Sequence, residues 1–208
     1  MGHRALVAYR RPDRRYDLRY SHWGGDTVAF AERISADTPL ADGAVDPALI
    51  ATAVDRNRVL TAHLDPCRYE ALYLVAPGEN YHVSAYRVCW LEWIDTLDDC
   101  DDDTDGDRGA IVAVESEIAD HRIRTWFRAV KTTLADVVEM GALSRRAART
   151  YLEARVCEDE DGTLYTYGEP ESIDSAYVPE TSRFGAERWH RSGEDERSDD
   201  ESDGGGRF

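Results

Sequence analysis

RYEALYLVAPGENYHVSAYRVCWLEW, residues 68–93, is the stretch on which the fold turns. Two runs rich in aromatic and β-branched residues, 68–76 and 81–93, flank Pro77-Gly78-Glu79-Asn80. Pro followed by Gly suits the two central positions of a type II turn, so the reading is a β-hairpin. In its second strand Tyr81, Val83, Ala85, Cys89, Leu91 and Trp93 share one face, interrupted by Arg87.

Working outward toward the N-terminus, residues 4–10 are near-continuously apolar, as expected of a strand buried on both faces. Pro12 and Asp13 mark a turn, after which Tyr16, Leu18, Tyr20 and His22 alternate with Asp17, Arg19 and Ser21. That pattern predicts a second hairpin whose outer strand has one wet face. Asp26 would cap a helix running to about Ser35, and Pro47 suits the first position of another. Toward the C-terminus a short strand is expected at 110–114. Ala119, Ile123, Trp126, Val130, Leu134 and Val137 then form the apolar seam of a long helix ending at Gly141. Ser144 caps a shorter helix to about Val156, and Asp161-Gly162 turns into a last strand at 163–167. Hairpins and helices in blocks, without βαβ alternation, predict an α+β fold. Its sheet would be antiparallel and hairpin-based, with four to six strands packed against two to four helices.

The 208 residues carry 42 acidic and 25 basic side chains, a formal charge of −17. Lys131 is the only lysine; the other 24 basic residues are arginine. With 42% hydrophobic residues the chain can build one sizeable core without disulfides or metal. We expect a single domain over 1–191, with an Asp-rich surface loop at 95–108 and a disordered acidic tail at 192–208. Dense acidity with arginine in place of lysine is the composition of a halophilic protein in molar potassium chloride, where the Debye length falls to about 3 Å. No apolar run is long enough to span a bilayer, so no membrane partner is expected. The four cysteines lack zinc-finger or C-x-x-C spacing, which suggests free thiols and a cytoplasmic location.

The most suggestive stretch is Tyr20-Ser21-His22-Trp23-Gly24-Gly25-Asp26, where a strand meets the start of a helix and a ligand can approach glycine backbone. His3 begins the neighbouring strand. His3 and His22, with His82 from the other hairpin and Asp26 nearby, would suit a divalent transition metal. The competing reading leaves His22 packed on an aromatic face and Gly24-Gly25 as a plain turn. A phosphate cradle at these glycines is opposed by the charge of Asp26 and by the lack of a Walker lysine. Asp101, Asp103, Asp105 and Gly106 imitate half of a calcium loop, but Val112 stands where its bidentate Glu belongs. Glu92, between Trp90 and Trp93, is expected to pair with an arginine rather than act as an acid, and Cys89 to sit in the core. Arg145, Arg146 and Arg149 on the 144–156 helix give the outline of a winged helix-turn-helix, opposed by the net charge.

MGHRALVAY at 1–9 and YDLRYSHWGG at 16–25 resemble the start of a protein family of haloarchaea and their viruses, a domain of unknown function. The likeness extends over most of the chain up to the acidic tail. A looser likeness over about the first 25 residues is to small phage and bacterial proteins, in which an Asp often follows the Trp. Gly24 stands there in this chain, which counts against a metal site carried over from that pattern. The family resemblance implies a halophilic, cytoplasmic protein and assigns no catalytic residue.

Three functions follow as expectations. The leading one is binding of a protein or small-molecule partner without catalysis or cofactor, at the 20–26 corner with His3. The second is a metal-assisted hydrolase or transferase using His3 and His22. The third is a DNA-binding regulator using the 144–156 helix.

Overall fold

Strand β1 (Ala5–Arg10) is buried over Ala5, Leu6, Val7 and Ala8, and its alternate residues feed two different cores. Ala5 and Val7 pack on one face of the sheet, Leu6 and Ala8 on the other. This follows from the period of two in a strand and explains why residues 4–10 read as unbroken hydrophobicity. The computed structural model describes residues 3–78, 81–93 and 107–168, all within a compact unit spanning Met1–Pro170. The aspartates at 95–105, the calcium-like Asp101, Asp103 and Asp105 among them, lie outside the described residues, as does the tail at 192–208.

The sheet has seven strands in the order β3-β2-β1-β4-β5-β6-β7, more than the four to six expected. Both predicted hairpins form: β1 with β2 (Tyr16–Ser21), and β4 (Ala71–Ala76) with β5 (His82–Trp90). They are joined by a parallel pairing of β1 with β4, Ala5 opposite Ala71, so the sheet is mixed rather than wholly antiparallel. β6 (Asp107–Val114) and β7 (Thr163–Tyr167) extend it, each antiparallel to its neighbour. Parallel pairing needs a long crossover, and no turn signal announces it in the sequence.

Two predicted helices are corrected. Pro47 starts no helix: Leu49–Val54 forms β3, antiparallel to β2 with an irregular register. The alternation of Ile50, Thr52 and Val54 is β-branched, and Asp46 turns the chain into it by accepting from Ala48 N at 2.8 Å. The helix expected from Asp26 to Ser35 is a 3-10 turn over Val28–Arg33, capped by Thr27 one residue later. Its Val28 and Phe30 are buried. A short helix α1 (Arg56–Arg58) runs into a π-helical turn, Val59–His63, which packs beside β7 and whose Thr61 carbonyl accepts from Gly168 N at 2.8 Å.

α2 (Glu117–Glu139) and α3 (Arg145–Glu160) cover the Ala5/Val7 face. The α2 seam holds through Ile123 and Leu134 but ends on Val138 rather than Val137. Its C-terminus is closed by Gly141 at φ +69°, with Gly141 N donating to Val138 O and Ala142 N to Val137 O. That is a Schellman closure. Ser144 caps α3 as expected, accepting from Ala147 N, but the helix runs four residues past Val156. Cys89 lies in the core, and Glu92 pairs with Arg149 at 3.0 Å, both as expected.

Candidate functional site

In the corner at 24–27 the backbone groups of both glycines are bonded within the protein itself. Gly24 N donates to Ser21 Oγ at 3.0 Å and Gly25 N to the His3 carbonyl at 2.7 Å. Tyr73 donates its hydroxyl to the carbonyls of Gly24 at 2.7 Å and Thr27 at 3.1 Å. Arg87 donates to the Gly25 carbonyl at 2.7 Å, and Arg124 to that of Asp26 at 2.9 Å. The glycines are there for closeness: a Cβ on Gly25 would stand 2.6 Å from the Arg4 carbonyl oxygen. With its amides so engaged, the corner offers no phosphate cradle.

The three candidate histidines have separate surroundings. His3 Nδ1 bonds the Glu70 carboxylate at 2.9 Å, and its Nε2 lies 3.8 Å from Asp26. His22 is exposed, bonded to the Tyr20 hydroxyl at 3.0 Å and edge-on to Trp23. Tyr20 packs against the Leu6/Ala8 cluster, whereas His3 lines a cavity beside Ile123 and Phe127 of α2, on the opposite side of the sheet. His82 bonds Ser84 at the far end of β5, five residues from Arg87 and so roughly 17 Å along the strand. Among the described residues, the group of three whose ligand atoms could meet at a metal is instead Asp65, Cys67 and Asp107, within 4.8 Å of one another. The Cys67 thiol there is pushed up to about 12, by burial first and then by Asp107 and Asp65.

What the fold brings together around His3 is a cationic cavity of about 410 Å³ between α2 and the ends of β4 and β5. Arg124, Arg128 and Lys131 line it from α2, Arg87 from β5, and Glu70 is the carboxylate in its wall. Arg124, Phe127, Arg128 and Lys131 follow one another at helical spacing, which puts them on one face. Arg87 is neutralised by Asp120, to which its Nη2 donates at 2.6 Å. Arg128 is exposed and has no ion-pair or hydrogen-bond partner among the described residues.

Lys131 is held differently. Its Nζ donates to the Trp90 carbonyl at 2.7 Å and lies 4.4 Å from the centre of the Trp90 ring, with Trp93 and Phe127 each at 5.8 Å. Burial in this aromatic box lowers its pKa to about 8, an effect that Cys67, Cys89 and Glu92 oppose. The indole N–H groups of Trp90 and Trp93 are buried without acceptors among the described residues. Sequence reasoning named His3 but missed Arg124, Arg128 and Lys131. The available signal was a lone lysine in a chain otherwise built on arginine, two turns from Arg124 on the same face.

A larger cavity, about 630 Å³, lies between the Val28–Arg33 turn and the start of β5 and holds His82. Its charged lining is Glu32, Glu115 and Glu117, which continues the acidic character of the chain. On α3, Arg149 is engaged by Glu92 and Arg146 is exposed. The strand after α3 joins the main sheet beside β6 instead of folding into a two-stranded wing, which corrects the winged outline. Among the described residues no helix is long and apolar enough to cross a membrane.

No curated protein and no solved structure matches this chain. A family model does, over residues 1–44 and 41–165, and the chain therefore belongs to a family of unknown function, DUF6735.

Proposed function

We propose that this protein binds a small anionic ligand, a carboxylate or phosphate, in the cavity between α2 and the His3 corner. The observation that carries the reading is the sign of that cavity. Arg124, Arg128 and Lys131 face it against the single carboxylate of Glu70, in a chain whose net charge is −17. Such a local reversal is not what composition alone produces. A volume of about 410 Å³ suits a metabolite.

Titration calorimetry with citrate and with pyrophosphate, on the wild type and on Arg128→Ala, tests the reading. Binding by the wild type that weakens about tenfold in the variant supports it, since a charge-assisted hydrogen bond is worth about 1.5–3 kcal/mol. Absence of binding, or binding indifferent to Arg128, overturns it.

The acidic, lysine-poor composition fits a cytoplasmic protein of a halophile, and we propose that setting as well. A melting temperature that climbs from about 0.1 M to about 3 M potassium chloride supports it; a flat or falling profile removes it.

A further inference from the structure

We infer that the ligand of this cavity carries a carbonyl group beside its anion, and that Lys131 captures it as an imine. The inference rests on the anion-site reading above and adds the ligand's second functional group.

Four observations converge. Lys131 lines the same cavity as Arg128, three residues apart on α2, so the two side chains start about 5–6 Å from each other. On this reading the anion sits on Arg128 and its neighbouring carbonyl carbon is turned toward the amine. Burial lowers the Lys131 pKa to about 8, so a usable share of the amine is neutral and nucleophilic near neutral pH. Three aromatic rings surround Nζ at 4.4 to 5.8 Å, and a protonated imine would keep its positive charge over those same faces. Finally, the chain uses arginine at all 24 other basic positions, and a guanidinium cannot perform this step.

The chemistry is a condensation. The neutral Nζ attacks the carbonyl carbon, a C=N bond replaces C=O, the carbonyl oxygen leaves as water with the two amine protons, and a proton from solvent charges the imine nitrogen. No oxidant or reductant is consumed. The carboxylate of Glu70, bonded to His3, and the guanidinium of Arg87, paired with Asp120, wall the cavity and keep the approach polar.

The test uses the full chain with glyoxylate, which places an aldehyde next to a carboxylate, and sodium cyanoborohydride to reduce any imine into a stable adduct. Peptide mass mapping reads the site directly, because Lys131 is the only lysine and the α-amine is the internal reference. The expected result is labelling of Lys131 that saturates with glyoxylate, while the α-amine labels in linear proportion. Glycolate, which has the carboxylate and lacks the carbonyl, should suppress the Lys131 adduct. Arg128→Ala should raise half-saturation about tenfold. The competition arm needs no variant, so it stands if a substitution at Lys131 perturbs folding.

Glycolate binding by calorimetry without any Lys131 adduct from glyoxylate overturns the imine and leaves the anion site standing. Lys131 labelling that neither saturates nor responds to glycolate or Arg128→Ala overturns both readings.

Discussion

The guanidinium of Arg87 and the carboxylate of Asp120 meet as a two-pronged pair, Nε to Oδ1 at 2.7 Å and Nη2 to Oδ2 at 2.6 Å, with both side chains almost wholly buried. The remaining arm of Arg87 reaches the carbonyls of Gly25 at 2.7 Å and Glu70 at 3.2 Å. One side chain thus ties β5 to α2, to the glycine corner and to the residue before β4. Arg87 is the lone interruption of an apolar strand face because it is the hub of this tie.

Asp120→Asn should destabilise the protein by about 3–5 kcal/mol, because it strands a buried guanidinium. The double variant Arg87→Met/Asp120→Leu should recover much of that loss. Denaturant unfolding of the three proteins checks it, and equal losses in the single and double variants would refute the account.

Gly25→Ala should cost about 2–3 kcal/mol, since its new Cβ would meet backbone of His3 and Arg4 at 2.6–3.0 Å and neither can swing away. Gly78→Ala, with open space around its Cβ, is the matched control and should change stability far less. Thermal unfolding measured side by side decides between close packing and simple turn flexibility at position 25.

Alkaline titration gives a signed prediction for Lys131. Its pKa falls from 10.5 to about 8 on folding, so below about pH 8 both folded and unfolded chains hold the proton and the burial cost is fully present. Between about 8 and 10.5 the unfolded chain holds a proton that the native state has released, and stability rises with pH. Measured against Lys131→Met, which cancels the tyrosine titrations, the wild type should gain about 2 kcal/mol across that window after allowance for partial exposure. A difference that is flat with pH would show the ammonium to be as well solvated as in the open chain.

Thiol reactivity offers a fourth check. Desolvation pushes Cys67 up to about 12 with help from Asp107 and Asp65, full burial does the same to Cys89, and Cys157 is raised as well, so thiolate is scarce at neutral pH even though Cys67 is exposed. On a Cys100→Ser background, native protein at pH 7.5 should react with a disulfide reagent far more slowly than the unfolded chain, with Cys89 last. Prompt reaction of Cys89 in the native state would contradict its place in the core.

Both hairpins, the caps at Ser144 and Gly141, the burial of Cys89 and the α2 seam down to Leu134 were legible in the sequence, because each is written within about ten residues as a period, a turn or a cap. The same local rules misjudged Pro47 and Asp26. Pro47 is compatible with a helix start, but partnership with β2 decided for a strand, and a 3-10 turn satisfied Val28 and Phe30 with fewer residues than a helix would have used. Only tertiary structure set β1 parallel to β4, joined Arg87 to Asp120 across 33 residues, and seated His3 on Glu70 across 67. It also parted His3 from His22 onto opposite sides of one sheet, and set the cationic face of α2 against Arg87 and His3 around one cavity. Such groupings depend on which distant elements pack together, and nothing in a local period records that choice.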